Sequence, residues 1–313
     1  MDPLRFLVDT DGFFTRAQAR DLGYSDRLVT QLVHGRVWKR LRRGYYTFVD
    51  VWETLTPEQR HLALAHAVVH SLGDAVALCG VSGLLEHGVE TWGMSLDRVH
   101  VTRLDGSAGR TEGDVVHHEG RCSVEDLVDI GGRAVVSAQR CAIEAGSRTT
   151  NESALVAFDS LLRRRRCSYD ELMTQFERMA HWPFTLKLHI AVRMADGRSE
   201  SPGETRGRWL FWVTGLPAPI LQYRVCDAEG RLVATCDWAW PDRAVFGEFD
   251  GKIKYGRLLR PGHDAGQVVF AEKRREDLVR ELTRGSMVRL VWEDLDRPRV
   301  THDRIARLLR LAG

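Results

Sequence analysis

The chain has 313 residues, 43% of them hydrophobic, with 45 basic and 43 acidic side chains and a formal net charge of +2. That length is long for one domain and accommodates two or three, each with its own core, while a near-neutral balance does not by itself announce a nucleic-acid binder. The N-terminal MDPLRFLVDTDGFFTR lacks the apolar core of a signal peptide, no apolar run approaches membrane-spanning length, and Cys79, Cys122, Cys141, Cys167, Cys226 and Cys236 lack the close C-x-x-C spacing of a zinc site. A soluble, cytoplasmic protein with reduced thiols is expected.

The elements follow in chain order. FFTRAQARDLG reads as a short helix with Thr15 as N-cap and Gly23 as stop. YSDRLVTQLVHG reads as a second helix, capped by Ser25, ended by Gly35 and striped with Leu28, Val29, Leu32 and Val33. RVWKRLRRGYYTF alternates, turns at Gly44 and returns through Tyr45–Phe48, a two-stranded ribbon with a basic turn. Two short helices before a basic hairpin make a small winged helix-turn-helix over residues 1–52.

The middle region, 53–192, is expected to be α+β. Thr56, Pro57 and Gln59 start a helix with a capping box, with Leu62, Ala65, Val69 and Leu72 as its buried stripe. AVALCGVSGLLEHG reads as a strand into a helix. DRVHVTRL and DVVHHEG read as strands around the turn DGSAGRTEGD. SAQRCAIEAG, ESALVAFDSLLRRRR and YDELMTQFERMA read as helices. The Arg163–Arg166 run suits a helix C-terminus first and a nucleic acid second. His117 and His118 fall on opposite faces of a strand, which argues against a shared metal role.

A third domain, 196–313, follows the polar MADGRSESPGE. Ser201, Pro202 and Glu204 start the helix RGRWLFWVTG. LQYRVCDAEGRLVATCDWAW is a hairpin turning at Glu229–Gly230, and AVFGEFDGKIKY is a third strand. AEKRREDLVRELTRG is a helix with Leu278, Val279 and Leu282 inward, MVRLVW a strand, and HDRIARLLRLAG a closing helix. Alternation places Glu248, Asp250, Lys252 and Lys254 on one face. A solvated strand face explains these charges blandly. Asp237, at the end of the preceding strand, supports a second reading. Two adjacent carboxylates repel unless a cation or a shared proton lies between them. Their hard oxygens suit Mg²⁺ or Mn²⁺.

From Ser199 to Gly313 the pattern D-(x)n-E-x-D-G-K after a capped helix, then EKRREDLVRELTRGSMVRLVWEDL, resembles the PD-(D/E)XK restriction-endonuclease-like superfamily, in the branch of the very-short-patch-repair endonucleases. The resemblance implies an α/β nuclease-like domain with Glu204 as the helix acid and Asp237 and Glu248 as ligands of Mg²⁺ or Mn²⁺. The basic residue of the motif falls on Asp250, a departure; Lys252 or Lys273 would stand in. Glu204 has the alternative role of a helix cap, and Asp250 that of a turn former before Gly251. Trp238 and Trp240 are expected to pack.

GFFTRAQARDLGYSDRLVTQLVHGRVWKRLRRGYYTF resembles the winged-helix region of AbiEi-family antitoxins, through T-R-A-Q-A, the helix ending in H-G and the wing W-K-R-L-R-R-G-Y-Y. The body around AVALCGVSGLLEHG is similar as well. On this reading the second helix offers Arg27, Thr30 and Gln31 to the major groove. Arg36, Lys39, Arg40, Arg42 and Arg43 meet phosphates or a minor groove. The expected function is that of a DNA-binding toxin–antitoxin or phage-defence protein with a nuclease-like domain. The partners are double-stranded DNA and a cognate toxin. The alternative is a non-catalytic repressor.

Overall fold

The computed structural model describes residues 2–120, 122–251 and 276–311. The fold is mixed α/β with three sheets among those residues. It divides into two compact units, 1–157 with 165–193, and 158–164 with 194–313.

The first unit opens with helix α1 (Pro3–Asp11), a short strand β1 (Phe14–Thr15), helices α2 (Arg16–Asp21) and α3 (Asp26–His34), and strands β2 (Trp38–Arg42) and β3 (Tyr45–Phe48). Thr15 and Gln18 cap α2 reciprocally, and the Ser25 hydroxyl accepts the Leu28 N–H at the start of α3, as capping chemistry requires. Gly44, at φ +83°, closes the β2–β3 turn in a conformation that costs glycine little. Strand order is β1-β3-β2. Trp38 sits at the centre of a small aromatic core, with its ring 4.7 Å from that of Phe14 and 5.0 Å from that of Tyr24.

The chain continues through α4 (Val49–Thr54), α5 (Pro57–Leu72), β4 (Val76–Leu78), α6 (Gly80–Glu86), β5 (Val99–Arg103), β6 (Arg110–Glu112), β7 (Val115–His118), β8 (Leu127–Ile130), β9 (Arg133–Val136), α7 (Ala138–Ser147), α8 (Asn151–Arg163), α9 (Tyr169–Arg178) and α10 (His189–Met194). The six strands form one mixed sheet in the order β6-β7-β5-β4-β9-β8. Helix α5 is held on two sides. Ala65, Val68 and Val69 pack on the sheet core, and buried His61 bonds the Ser82 hydroxyl of α6 at 2.7 Å. This second contact buries His61 and Ala63 and leaves Leu62 and Leu72 only half-buried, a shift from the expected stripe.

The second unit is built from α11 (Pro202–Val213), β10 (Ile220–Cys226), β11 (Leu232–Trp240), β12 (Val245–Phe249), the helical residues 276–283 (α12), β13 (Ser286–Leu290), α13 (Trp292–Leu295) and α14 (Pro298–Leu311). Strand order is β10-β11-β12-β13, with β12 and β13 parallel and the others antiparallel. The expected order of helix, three strands, helix, strand and helix is present. Trp238 and Trp240 are buried against Phe211 of α11, as expected for packing residues.

Gly203 and Gly207 lie one turn apart on α11. A Cβ on Gly203 would overlap the Phe249 ring, and one on Gly207 the Trp238 ring. The helix therefore rests directly on the sheet. From α8, Asp159 joins this unit as a fully buried carboxylate. It accepts from Arg208 and Thr205, each at 2.7 Å, and from the Asp196 N–H at 2.8 Å. Burial raises its carboxyl to about 6 against the pull of Arg208.

Several expectations are corrected. The DGSAGRTEGD segment contains a strand, β6, because Arg110–Glu112 pairs antiparallel with β7. Strands β8 and β9 and helices α1, α4 and α13 had no expectation. In α12 only Val279 faces inward, at 1% exposure, whereas Leu278 and Leu282 are 41% and 38% exposed. Strand β12 ends at Phe249. Lys252, Lys254 and Lys273 lie outside the described residues, so the shared face expected for Glu248 to Lys254 is not described beyond Gly251. None of the six cysteines forms a disulfide among the described residues. No helix among the described residues is long and apolar enough to cross a membrane.

Gly207→Ala is expected to destabilise the protein by about 1–3 kcal/mol through overpacking against Trp238, in spite of alanine's better helix propensity. Denaturant unfolding checks this, and an unchanged midpoint would contradict the close-packing account.

Candidate functional site

The N-terminus of α11 sets the first part of the site. Ser201 caps the helix by accepting the Glu204 N–H at 3.2 Å, and its hydroxyl donates back to Glu204 Oε1 at 2.8 Å. The other oxygen, Oε2, accepts the Glu200 N–H at 2.8 Å and the Gln222 amide at 3.1 Å. Glu204 is therefore a cap residue and is also held in one orientation, buried to 6% exposure. Burial raises its carboxyl above the ordinary range, against the bonds from Glu200 and Ser201.

Asp237, near the end of β11, is the second member. Burial first, and then the negative charge of Glu204, raise its carboxyl to about 6. The Phe249 N–H donates to its Oδ2 at 2.7 Å, and the nearby Gln222 side chain works against the upward shift. Gln222 falls between the pairs Leu221↔Trp238 and Tyr223↔Cys236, so it stands beside Asp237 on the neighbouring strand. Its φ is +49°, a left-handed conformation uncommon for a non-glycine residue. Its amide thus bonds Glu204 and stands beside Asp237, whose carboxyl Glu204 repels. Such stored backbone strain concentrates at functional sites.

Glu248 follows Gly247, the partner of Trp238 across β11–β12, and so continues that register towards Asp237. It is paired across β12–β13 with Arg289, whose guanidinium lies 3.7 Å from its carboxylate and 3.5 Å from Glu276. Asp250 lies just past the strand, its N–H bonded to the Leu290 carbonyl at 2.8 Å. The structure thus joins Glu204 to Asp237 and sets Glu248 on the adjacent strand next to a guanidinium. Sequence reading missed Gln222 and Arg289. Gln222 carries no motif signal, because only its backbone twist directs the amide to the acids. Arg289 lies on the β13 strand read as MVRLVW, and only the parallel pairing of that strand with β12 exposes its role.

The carboxylates of Asp237 and Glu248, at facing positions of β11 and β12, carry the hard oxygens that suit a divalent cation such as Mg²⁺ or Mn²⁺, which would compete there with the Phe249 N–H and the Arg289 guanidinium. Among the described residues no group of three or more His, Cys, Asp or Glu side chains is arranged to hold a metal ion.

The basic ribbon forms a separate candidate surface in the first unit. Arg27, Thr30 and Gln31 are exposed along α3, with the Thr30 hydroxyl bonded back to the Asp26 carbonyl. Arg36, Arg40 and Arg43 are exposed, and Lys39 and Arg42 are half-buried. Lys39 lies 5.2 Å from the centre of the Trp52 ring, a cation–π position. Among the described residues none of Arg27, Arg36, Lys39, Arg40, Arg42 and Arg43 has an ion-pair partner, whereas Arg16 on α2 is paired with Asp26 at 2.9 Å. No carboxylate among those residues cancels the positive charge of the ribbon.

No protein-family model matches the chain, and no curated protein matches it.

The Asp237 carboxyl carries a pH signature. Its folded value of about 6 lies above the ordinary 3.8, so between those values the folded state binds more protons than the unfolded one and stability falls as pH rises. Asp237→Asn keeps an acceptor for Phe249 and removes the charge. Relative to the parent it is expected to gain about 1–2 kcal/mol as pH rises from about 4 to about 6, with no further gain above. Urea unfolding of both proteins across that range measures it; a constant difference would mean Asp237 is not perturbed.

Proposed function

We propose that the chain is a DNA-binding protein of the toxin–antitoxin or phage-defence type whose second unit hydrolyses phosphodiester bonds with a divalent metal. The observation that carries this reading is the Glu204–Gln222–Asp237 cluster, in which a strained glutamine bonds a buried acid beside a half-buried one. The helix, three strands, crossover helix and parallel strand around it support a restriction-endonuclease-like domain of the PD-(D/E)XK kind. Asp237 and Glu248 would hold Mg²⁺ or Mn²⁺. The metal, when bound, supplies charge stabilisation at a phosphate oxygen and a more acidic water. Glu204 and Gln222 orient the Asp237 carboxylate. Arg289, beside Glu248, is placed to neutralise phosphate charge. Lys252 or Lys273 would assist the attacking water by its ammonium group.

The arrangement of α2, α3 and the β2–β3 ribbon supports a winged helix-turn-helix, similar to that of AbiEi-family antitoxins, as the DNA-delivery part. Arg27, Thr30 and Gln31 would face the major groove, and Arg36, Lys39, Arg40, Arg42 and Arg43 the backbone or a minor groove. A second reading, a non-catalytic repressor or antitoxin that binds operator DNA or a cognate toxin, is favoured by the ion pair of Glu248 with Arg289 and by Asp250 at the usual lysine position.

Supercoiled plasmid incubated with the protein and Mg²⁺, Mn²⁺ or EDTA decides between them. Metal-dependent nicking, reduced at least about 100-fold in Asp237→Ala and Glu248→Ala, is the expected result. Intact DNA binding without cleavage under any metal establishes the repressor instead. Replacing Arg40, Arg42 and Arg43 together with alanine is expected to weaken DNA binding and to reduce the slope of log K against log[salt] by about 2–3. An unaltered slope would remove the ribbon from the interface.

A further inference from the structure

The first unit contains a cavity of about 480 Å³ that the proposed activity does not use. That volume lies within the range of small-molecule sites. Its walls come from the strands β5 and β7 (His100, His118), the C-terminal part of α7 (Glu144, Arg148) and the segment after α9 (Met179, Trp182, Phe184, Thr185).

Its polar groups have a definite polarity. The His100 and His118 rings lie edge to edge, with centres 5.1 Å apart and planes 20° apart. His100 Nδ1 faces His118 Nε2 at 2.9 Å, and Arg148 faces His118 Nδ1 at 3.5 Å. A guanidinium only donates, so His118 Nδ1 accepts. The His118 proton is then on Nε2 and is donated to His100 Nδ1. The His100 proton is in turn on Nε2, as a free donor. Burial and the neighbouring cation keep both rings neutral, with values near 3 for His100 and near 4 for His118. The acids of the wall are already engaged. Glu144 accepts from Arg140 at 2.9 Å and from the Gly80 N–H at 3.1 Å, and Glu119 accepts the Gly109 N–H at 3.4 Å. Arg148, His100 and the exposed edges of the wall therefore offer donors.

A further feature points to an occupant. Phe184 is held at φ +64° with its ring 74% exposed, an outlier conformation for an aromatic residue. An apolar side chain held out in solvent, in a cavity that also carries Arg148 and His100, matches a ligand with an oxyanion at one end and an apolar body at the other.

We propose that this cavity binds a small amphipathic anion, an aromatic or apolar body bearing one carboxylate or phosphate, with Arg148 and His100 on its oxygens and Met179, Trp182 and Phe184 against its body. The site lies wholly within the first unit and is independent of the nuclease reading.

Titration calorimetry on the full chain tests it with indole-3-acetate and 5′-AMP as the carboxylate and phosphate probes, and indole-3-acetamide and adenosine as their neutral counterparts. One of the two anions is expected to bind with a Kd of about 1 mM or tighter, and which one binds identifies the headgroup. Its neutral counterpart is expected to bind at least about 10-fold more weakly. Arg148→Gln and His100→Phe are each expected to weaken it about 5–10-fold. Arg148 is exposed, so Arg148→Gln should keep its melting temperature, which separates lost binding from lost folding. Asp237→Ala should bind the anion unchanged. Failure of both anions to bind, equal binding of a neutral counterpart, or full affinity in both cavity variants would overturn the proposal.

Discussion

The closeness of α11 to its sheet is the constraint on which the second unit depends. Gly203 and Gly207 leave no side chain between helix and strands, so Phe249 and Trp238 press against the helix backbone. The gap that an ordinary residue would open is closed. Glu204, between these two glycines, is thereby carried down towards Asp237 and the amide of Gln222. The electrostatic character of the site follows from this packing. Burial and the charge of Glu204 raise the proton affinity of Asp237, and the amide that bonds Glu204 beside it does so from a strained backbone. A looser helix would give two ordinary surface carboxylates.

The first unit is organised differently. Its N-terminal part is a small aromatic core around Trp38, framed by well-capped short helices. The cations of the ribbon remain outside that frame, without ion-pair partners among the described residues. Several arginines elsewhere are consumed by structure. Arg208 serves Asp159, Arg140 serves Glu144 and Asp126, and Arg133 serves Glu86. The contrast separates charge that stabilises the fold from charge left available to a partner, a distinction that the overall net charge hides.

Much of this was legible because short-range chemistry decided it. Thr15, Ser25, Thr56 and Ser201 all mark real helix starts, since each side chain satisfies a backbone N–H locally. The turn at Gly44 and the hairpin at Glu229–Gly230 were readable for the same reason. Strands β8 and β9 were not, because LVDI and RAVV are short and their burial comes from a sheet assembled from distant segments. In α12 the periodic leucines suggested a wide apolar face, yet only Val279 meets the sheet. Within the site, Glu204, Asp237 and Glu248 were legible from their order and spacing. Gln222 was not, since a positive φ leaves no mark in LQYRV. The His100–His118 pair was hidden too, because it joins parallel strands far apart in sequence, and pairing His118 with His117 by adjacency looked in the wrong direction.

Asp159 has a consequence for how this chain can be inherited or dismantled. The second unit takes the short run 158–164 from a helix that begins in the first, and that run supplies the buried acceptor for Arg208, Thr205 and the Asp196 N–H. The unit is therefore not a cassette that one cut in the gene can lift out. A fragment beginning at residue 194 would retain the glycine-paved helix, the sheet and the paired acids, but it would also contain a guanidinium with its counter-charge left behind. Recombination that preserves this half must carry α8 with it, so the two halves are tied together in descent by a single aspartate.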